Sequence, residues 1–207
     1  MKFHFVRCVS IGPALLFAAA AFAGPVSVDV AGRSGALADA IVVFDPLDAP
    51  PAPGRGAASI DQVNKQFVPH ISVIRTGTAV SFPNSDNIRH QVYSFSQPKA
   101  FTLKLYAGTP AAPVVFDKPG LLVLGCNIHD KMLAFVAVVD SPYFAKTDSA
   151  GKASLELPSG RYRLKVWHPN LAEKAPSETV TVAAAAKTIP LNLATSSAPA
   201  ELAAWPE

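Results

Sequence analysis

A cysteine, a histidine and a methionine stand three residues apart in Gly125-Cys126-Asn127-Ile128-His129-Asp130-Lys131-Met132. The apolar run that ends at Leu124 and the one that resumes at Leu133 make this a tight loop at a strand–loop–strand corner. Three side chains can converge there without helical geometry. Thiolate and imidazole in a plane, with a weak and distant thioether as axial donor, suit a polarizable copper ion. The plane needs a second imidazole. His90 is placed to give it, on the loop after Phe82-Pro83-Asn84 and directly before an apolar strand. A lone cysteine is most often a small buried hydrophobe, a lone methionine is usually core, and a lone histidine beside a strand is usually structural. The reading therefore rests on the four together: His90, Cys126, His129 and Met132.

Residues 1–23 read as an export signal. Lys2 and Arg7 give a positive start, residues 11–20 are apolar, and Ala21-Phe22-Ala23 puts small residues around a cleavage point, so Gly24 is the expected mature N-terminus. The apolar stretch is short for a spanning helix and no later one is long enough, so no transmembrane anchor is expected after cleavage. The expected address is the periplasm. Cleavage removes two cations and no acid, lowering the formal charge from +3 to +1. With no basic run interleaved with aromatics, no nucleic-acid partner is expected. Of the two cysteines, Cys8 leaves with the signal and Cys126 remains alone. Outside the cytoplasm a lone cysteine has no internal disulfide partner and invites oxidation. Pairing between molecules, a buried inert thiol and metal ligation remain, and the neighbours of Cys126 favour ligation.

The elements that must hold these donors are strands. About 180 residues remain after cleavage, enough for one large domain or two small ones. Proline and glycine, at 19 and 12, recur at short intervals. Short β-branched or aromatic runs at 26–30, 41–44, 114–116, 121–124 and 135–139 lie between them, and no stretch sustains a helical apolar spacing. That pattern predicts an all-β chain of sandwich or barrel type. Residues 26–30, a Gly-Arg-Ser-Gly turn and residues 40–44 read as a hairpin. Residues 46–56 are too rich in proline for a strand. Further strands are expected at 59–63, 70–74 and 79–82, with residues 99–105 alternating as a half-buried strand would. Beyond Tyr143 strands are expected at 153–157, 162–167, 179–182 and 188–193, followed by a mobile tail from Ala194.

Residues 67–139 resemble the plastocyanin and amicyanin group of cupredoxins. The matching elements are Phe67-x-Pro69, Gly77-Thr-x-Val-x-Phe82, Asn84-x-Asp86, His90 before a strand, and Pro119-Gly120 ahead of Leu122 to Met132. The family's pattern of an early His, then Cys-x2-His and a Met, falls on His90, Cys126, His129 and Met132. It implies one type 1 (blue) copper ion, with Asn84 and the backbone near Cys126 supporting the ligands. One departure is the spacing before Met132. Asp130 and Lys131 make a shorter loop than plastocyanin-like proteins usually have, which leaves another axial donor or a shifted geometry open.

The whole mature chain resembles bacterial methylamine-utilization or plastocyanin-like proteins, in which the ligand loop precedes Pro-Tyr-Phe and a carboxypeptidase-regulatory-like β-domain. Here these are Pro142-Tyr143-Phe144, then Thr147 to Gly151, Gly160-x-Tyr162 and Val166-Trp167-His168. The resemblance implies a cupredoxin Greek-key β-sandwich at 57–141 and a small Ig-like β-sandwich at 143–193, with a flexible tail at 194–207. Residues 24–45 belong to the Ig-like part if the copper domain is an insertion, and close domain termini make insertions tolerable. In a tandem arrangement they would open the cupredoxin instead.

A site with these donors implies single-electron shuttling between periplasmic redox partners whose identity the sequence does not give. The alternatives are a copper carrier, store or sensor without redox traffic, and a β-sandwich that works as a structural or binding module. An enzyme is not expected: there is no Gly-x-Ser-x-Gly, no His-Glu-x-x-His, no glycine-rich phosphate loop and no resolving cysteine. His70, after Pro69, reads as a packed or rim imidazole, with an extra metal contact as the sharper reading. His168, between Trp167 and Pro169, reads as structural packing.

Overall fold

A computed structural model describes residues 24–51, 54–110, 112–173 and 176–196. The expected export signal and most of the expected tail lie outside them. The described residues form strands and loops with no helix, an all-β fold.

The first three strands, β1 (Val26–Gly32), β2 (Gly35–Ala36) and β3 (Ile41–Pro46), find their main partners at the far end of the chain. These are β14 (Phe144–Lys146), β15 (Lys152–Leu155), β16 (Gly160–Trp167), β17 (Ser177–Val182) and β18 (Lys187–Asn192). One sheet has the order β15-β1-β18 with β2 on β1, and the other β14-β3-β16-β17. Between them in sequence come β4 (Gly56–Ser59), β5 (Asp61–Val63), β6 (Gln66–Val68), β7 (Ile71–Arg75), β8 (Thr78–Ser81) and β9 (His90–Ser94). Then follow β10 (Phe101–Tyr106), β11 (Val114–Phe116), β12 (Gly120–Gly125) and β13 (Leu133–Val139). They build a sheet of order β10-β9-β12-β13-β7, a smaller one of order β11-β8-β4, and the β5–β6 hairpin.

The expected hairpin of residues 26–30 with 40–44 does not form. β1 turns back through Arg33-Ser34 only onto β2, and β3 pairs in a different sheet. The reason is burial. Ile41, Val42, Val43 and Phe44 are all buried, and since successive strand residues point to opposite faces, both faces of β3 need cover. Pairing beside β1 in a two-layer edge would leave one face in water. The strand expected at 59–63 is split at Ile60, whose buried side chain separates β4 from β5. The start of the expected tail is packed: Thr195 is buried, its hydroxyl accepts the Arg33 N–H at 3.0 Å, and it bridges to Leu171.

β13 serves two hydrophobic cores. Its even residues, Ala134, Val136 and Val138, pack with Ile60, Phe67, Val80, Phe82, Phe116, Leu122 and Leu124. Its odd residues, Phe135, Ala137 and Val139, pack with β1, β3 and β16, where the Phe135 and Trp167 rings lie 5.7 Å apart. A run such as Leu-Ala-Phe-Val-Ala-Val-Val, apolar at every position, is what a strand buried on both faces requires.

Candidate metal centre

The site is made where β9, β12 and β13 end. β12 and β13 pair in register from Gly120↔Val138 to Gly125↔Leu133, so residues 126–132 close a loop between adjacent strands. Inside it the Met132 N–H donates to the His129 carbonyl at 2.9 Å and the Leu133 N–H to Lys131 at 3.2 Å. Gly125 also pairs with Tyr93 of β9, which sets the start of β9, and so His90, beside Cys126.

His90, Cys126 and His129 each offer a donor atom within 4.8 Å of the other two. The Cys126 sulfur lies 3.9 Å from His90 Nδ1, and the two imidazoles are 5.1 Å apart between ring centres. His90 and Cys126 are buried and His129 is half-buried. Nδ1 of His129 is enclosed with no hydrogen-bond partner. A buried polar atom left unpaired costs about 1–3 kcal/mol, and an ion held between these three side chains removes that cost. A thiolate with two imidazoles suits copper or zinc better than a hard cation. The residues present therefore fit a copper ion.

His90 is oriented from behind. Its Nε2 donates to Asp86 at 2.7 Å, which turns Nδ1 with its lone pair towards the sulfur. A carboxylate on the far nitrogen is the usual way a ligating histidine is fixed in tautomer and direction. Asp86 is itself clamped. Its carboxylate accepts the backbone N–H groups of Asn64 and Lys65 at 2.6 and 2.9 Å. Those residues form the two-residue turn of the β5–β6 hairpin, at φ 53° and 59°, the left-handed geometry that a tight hairpin turn demands. Burial works to raise the Asp86 carboxyl, but the Lys65 N–H, the His90 ring and the Asn64 N–H outweigh it and hold its pKa below the ordinary carboxylate value.

A polar floor lies beside this clamp. Asn84 donates from its amide to the carbonyls of Ile88 and Tyr106, both at 2.9 Å, and pins the loop that carries Asp86. Tyr106 sits opposite His90 on β10, and its hydroxyl donates to Phe82 O at 2.6 Å. Gln62, fully buried, donates its amide to Pro83 O at 3.0 Å and to the Tyr106 hydroxyl. Burial pushes the Tyr106 phenol up to about 12.

Of the residues expected from sequence, His90, Cys126 and His129 come together, and Met132 is buried in the same apolar cluster as Cys126. Asn84 supports the loop before His90 through its side-chain amide. His70 and His168 do not join the donor group. His70 stands exposed at the rim, with Nδ1 2.9 Å from Leu133 O and its ring edge-on to Phe135. His168 is buried and accepts the Asn170 N–H at 3.1 Å through Nδ1. Burial lowers its pKa, against the pull of Asp39 and with a smaller push from His70. Sequence reasoning assigned no role to Asp86, Gln62 or Tyr106. A carboxylate four residues before a ligand on an irregular loop has no periodic signature, and Asn-Lys is a weak turn signal beside Asn-Gly.

No protein-family model and no curated protein matches the sequence. Among solved structures, the chain is similar to a copper-containing nitrite reductase from Thermus scotoductus SA-01, at 24% identity and a TM-score of 0.37, over 46% of this chain and 26% of that one. It is similar to a purple cupredoxin from Nitrosopumilus maritimus, at 22% identity and a TM-score of 0.35, over 39% of this chain and 98% of that one. It is similar also to an amicyanin from Paracoccus versutus, at 16% identity and a TM-score of 0.34, over 40% of this chain and 80% of that one. Each overlap takes in less than half of this chain.

Proposed function

We propose that the chain binds one copper ion through His90, Cys126 and His129, with Met132 as fourth donor, and carries single electrons between partner proteins outside the cytoplasm. The observation that supports this most is the convergence of the three donors within 4.8 Å, one of them with an enclosed nitrogen that nothing else satisfies. When bound, copper supplies a one-electron couple that this mixture of soft and borderline donors tolerates in both oxidation states. The chain's own part is to hold the donors still. Cys126 and Met132 are buried at the two ends of a loop anchored on paired strands, and His90 is fixed through Asp86 to a separate hairpin. Donors held this way need little movement on gain or loss of an electron, and the apolar wall of Phe82, Leu124 and Ala134 limits water.

The same reading takes β4 to β13 as the copper-carrying unit, inserted into a second sandwich made by β1 to β3 and β14 to β18. The pairing of β1 with β15 and β18 and of β3 with β14 and β16 supports it. The function is tested by repeated reduction and reoxidation of the copper-loaded protein at an electrode. Electron transfer predicts a reversible one-electron wave with the metal retained over many cycles. Release of copper on reduction would replace this reading with that of a carrier or store.

A further inference from the structure

Two histidines that take no part in the metal centre come together where the two cores adjoin. His70 leads into β7 of the five-stranded sheet, and His168 follows β16 of the β14-β3-β16-β17 sheet. His70 stands exposed, its ring edge-on to Phe135 with centres 5.4 Å apart. His168 is buried directly after Trp167, whose ring packs on the same Phe135. Each side of the seam between these sheets thus brings one imidazole to a single aromatic contact.

Their hydrogen bonds fix where a proton can enter. The Leu133 carbonyl only accepts, so His70 donates to it through Nδ1 at 2.9 Å and leaves Nε2 basic. The Asn170 N–H only donates, so Nδ1 of His168 holds the lone pair that receives it at 3.1 Å, and the neutral ring carries its hydrogen on Nε2. A proton added to His168 must go to Nδ1, where it would face that N–H and end the bond. Asn170 in turn accepts the Ser196 N–H at 2.8 Å, and the His168 carbonyl accepts the Leu171 N–H at 3.1 Å. The turn after β16 is therefore built around a neutral ring.

Asp39, ahead of β3, favours a proton on His168, and His70 opposes one. The Asp39 carboxylate is already engaged: Lys146 of β14 holds it at 2.6 Å and crosses the seam to donate to Ile71 O at 3.0 Å, beside His70. Asp39 and His70, with Lys146 through Asp39, are the charged and titratable groups that act on His168. With both imidazoles neutral, Lys146 and Asp39 cancel. With both protonated, three cations share one carboxylate and one of them is buried, which is costly. We propose that His70 and His168 form a pH-sensitive latch across the seam, closed while both are neutral and opened when both are protonated, with the strands of each sheet still paired. Opening parts Phe135 from Trp167 and lets water reach the His168 ring. The step is proton uptake from water, one N–H bond forming at each ring. Burial lowers the pKa of His168 from 6.5, so the closed form binds fewer protons than the open one as pH falls below that value. Opening then becomes up to about tenfold more favourable per pH unit for each proton taken up.

The test is acrylamide quenching of Trp167 fluorescence in residues 24–207 carrying Trp205→Phe, which leaves Trp167 the only tryptophan. Circular dichroism is recorded alongside, with or without bound copper(I), since the latch does not rest on the metal. From about pH 7.5 to about pH 5, the range in which histidine changes charge, quenching should rise several-fold and reversibly while the strand signal holds. His168→Gln keeps an acceptor for the Asn170 N–H but takes up no proton, and should remove most of the rise. His70→Gln, at an exposed position, should reduce it. No rise, a rise that only accompanies loss of the strand signal, or a rise of parental size in His70→Gln would overturn the proposal. If His168→Gln is open to acrylamide at both pH values through a packing defect, His70→Gln alone decides.

Discussion

The two cores meet on opposite faces of β13, yet the regions around them treat buried polar atoms differently. In the second sandwich the principal ones are satisfied within the chain. The Thr147 hydroxyl accepts the Ala40 N–H at 2.9 Å and donates to Leu37 O at 2.6 Å. Ser141 donates to Phe44 O, Tyr162 donates to Pro158 O, and His168 accepts from Asn170. In the other sandwich, His129 Nδ1 and Gln62 Oε1 are enclosed without partners, and a thiol faces two imidazoles. Since native interiors leave few buried polar groups unpaired, the contrast separates a region built for its own stability from one that keeps donors free for something else. Substitutions in the two regions should fail in different ways.

The largest loss is expected at the shared seam. Trp167→Ala removes the ring against Phe135 and should destabilise the protein by about 3–5 kcal/mol, measured by urea unfolding. Its copper affinity, measured where the variant is still folded, should be that of the parent. A large loss of affinity with little loss of stability would reverse the roles given to the two regions. On the metal side the pattern is opposite. Asp86→Ala frees the His90 ring and the turn of Asn64 and Lys65, and should weaken copper binding about 10–100-fold in competition with a chelator. Unchanged affinity would mean that His90 is held by something other than Asp86.

Thr147→Val leaves the Ala40 N–H and Leu37 O without their buried partner and should cost about 1–3 kcal/mol, again without effect on copper affinity. The smallest effect concerns acid. Burial holds the His168 pKa below 6.5, so the unfolded chain binds more protons than the folded one just below that value. Stability therefore falls as pH drops below 6.5 towards the folded-state pKa. His168→Gln should flatten that part of the stability profile, and a profile unchanged by the substitution would show that His168 does not carry this acid dependence.

The all-β class was legible because short β-branched runs between turn residues leave little else for the chain to form; Cys126 and His129 were legible because they sit three residues apart in one loop, and His90, 36 residues earlier, because it stands directly before an apolar strand. Sheet membership was not. Residues 26–30 and 40–44 read as a hairpin from the turn between them, and only the burial of β3 on both faces, which depends on strands more than a hundred residues away, puts them in separate sheets. The support for His90 was hidden for a similar reason: Asp86, Asn64 and Lys65 are joined by backbone N–H groups, whose aim depends on turn geometry and not on residue type. Met132 was legible as a candidate only from its place in the loop, and it lies in the same buried apolar cluster as Cys126.

The central claim, that Cys126 ligates copper beside His90 and His129, is tested most directly by one equivalent of copper(II) and a visible absorption spectrum of residues 24–207, with Cys126→Ser alongside. The account predicts an intense thiolate-to-copper charge-transfer band in the parent and none in Cys126→Ser. A band that survives the substitution, or bound copper that gives the parent no such band, would contradict it.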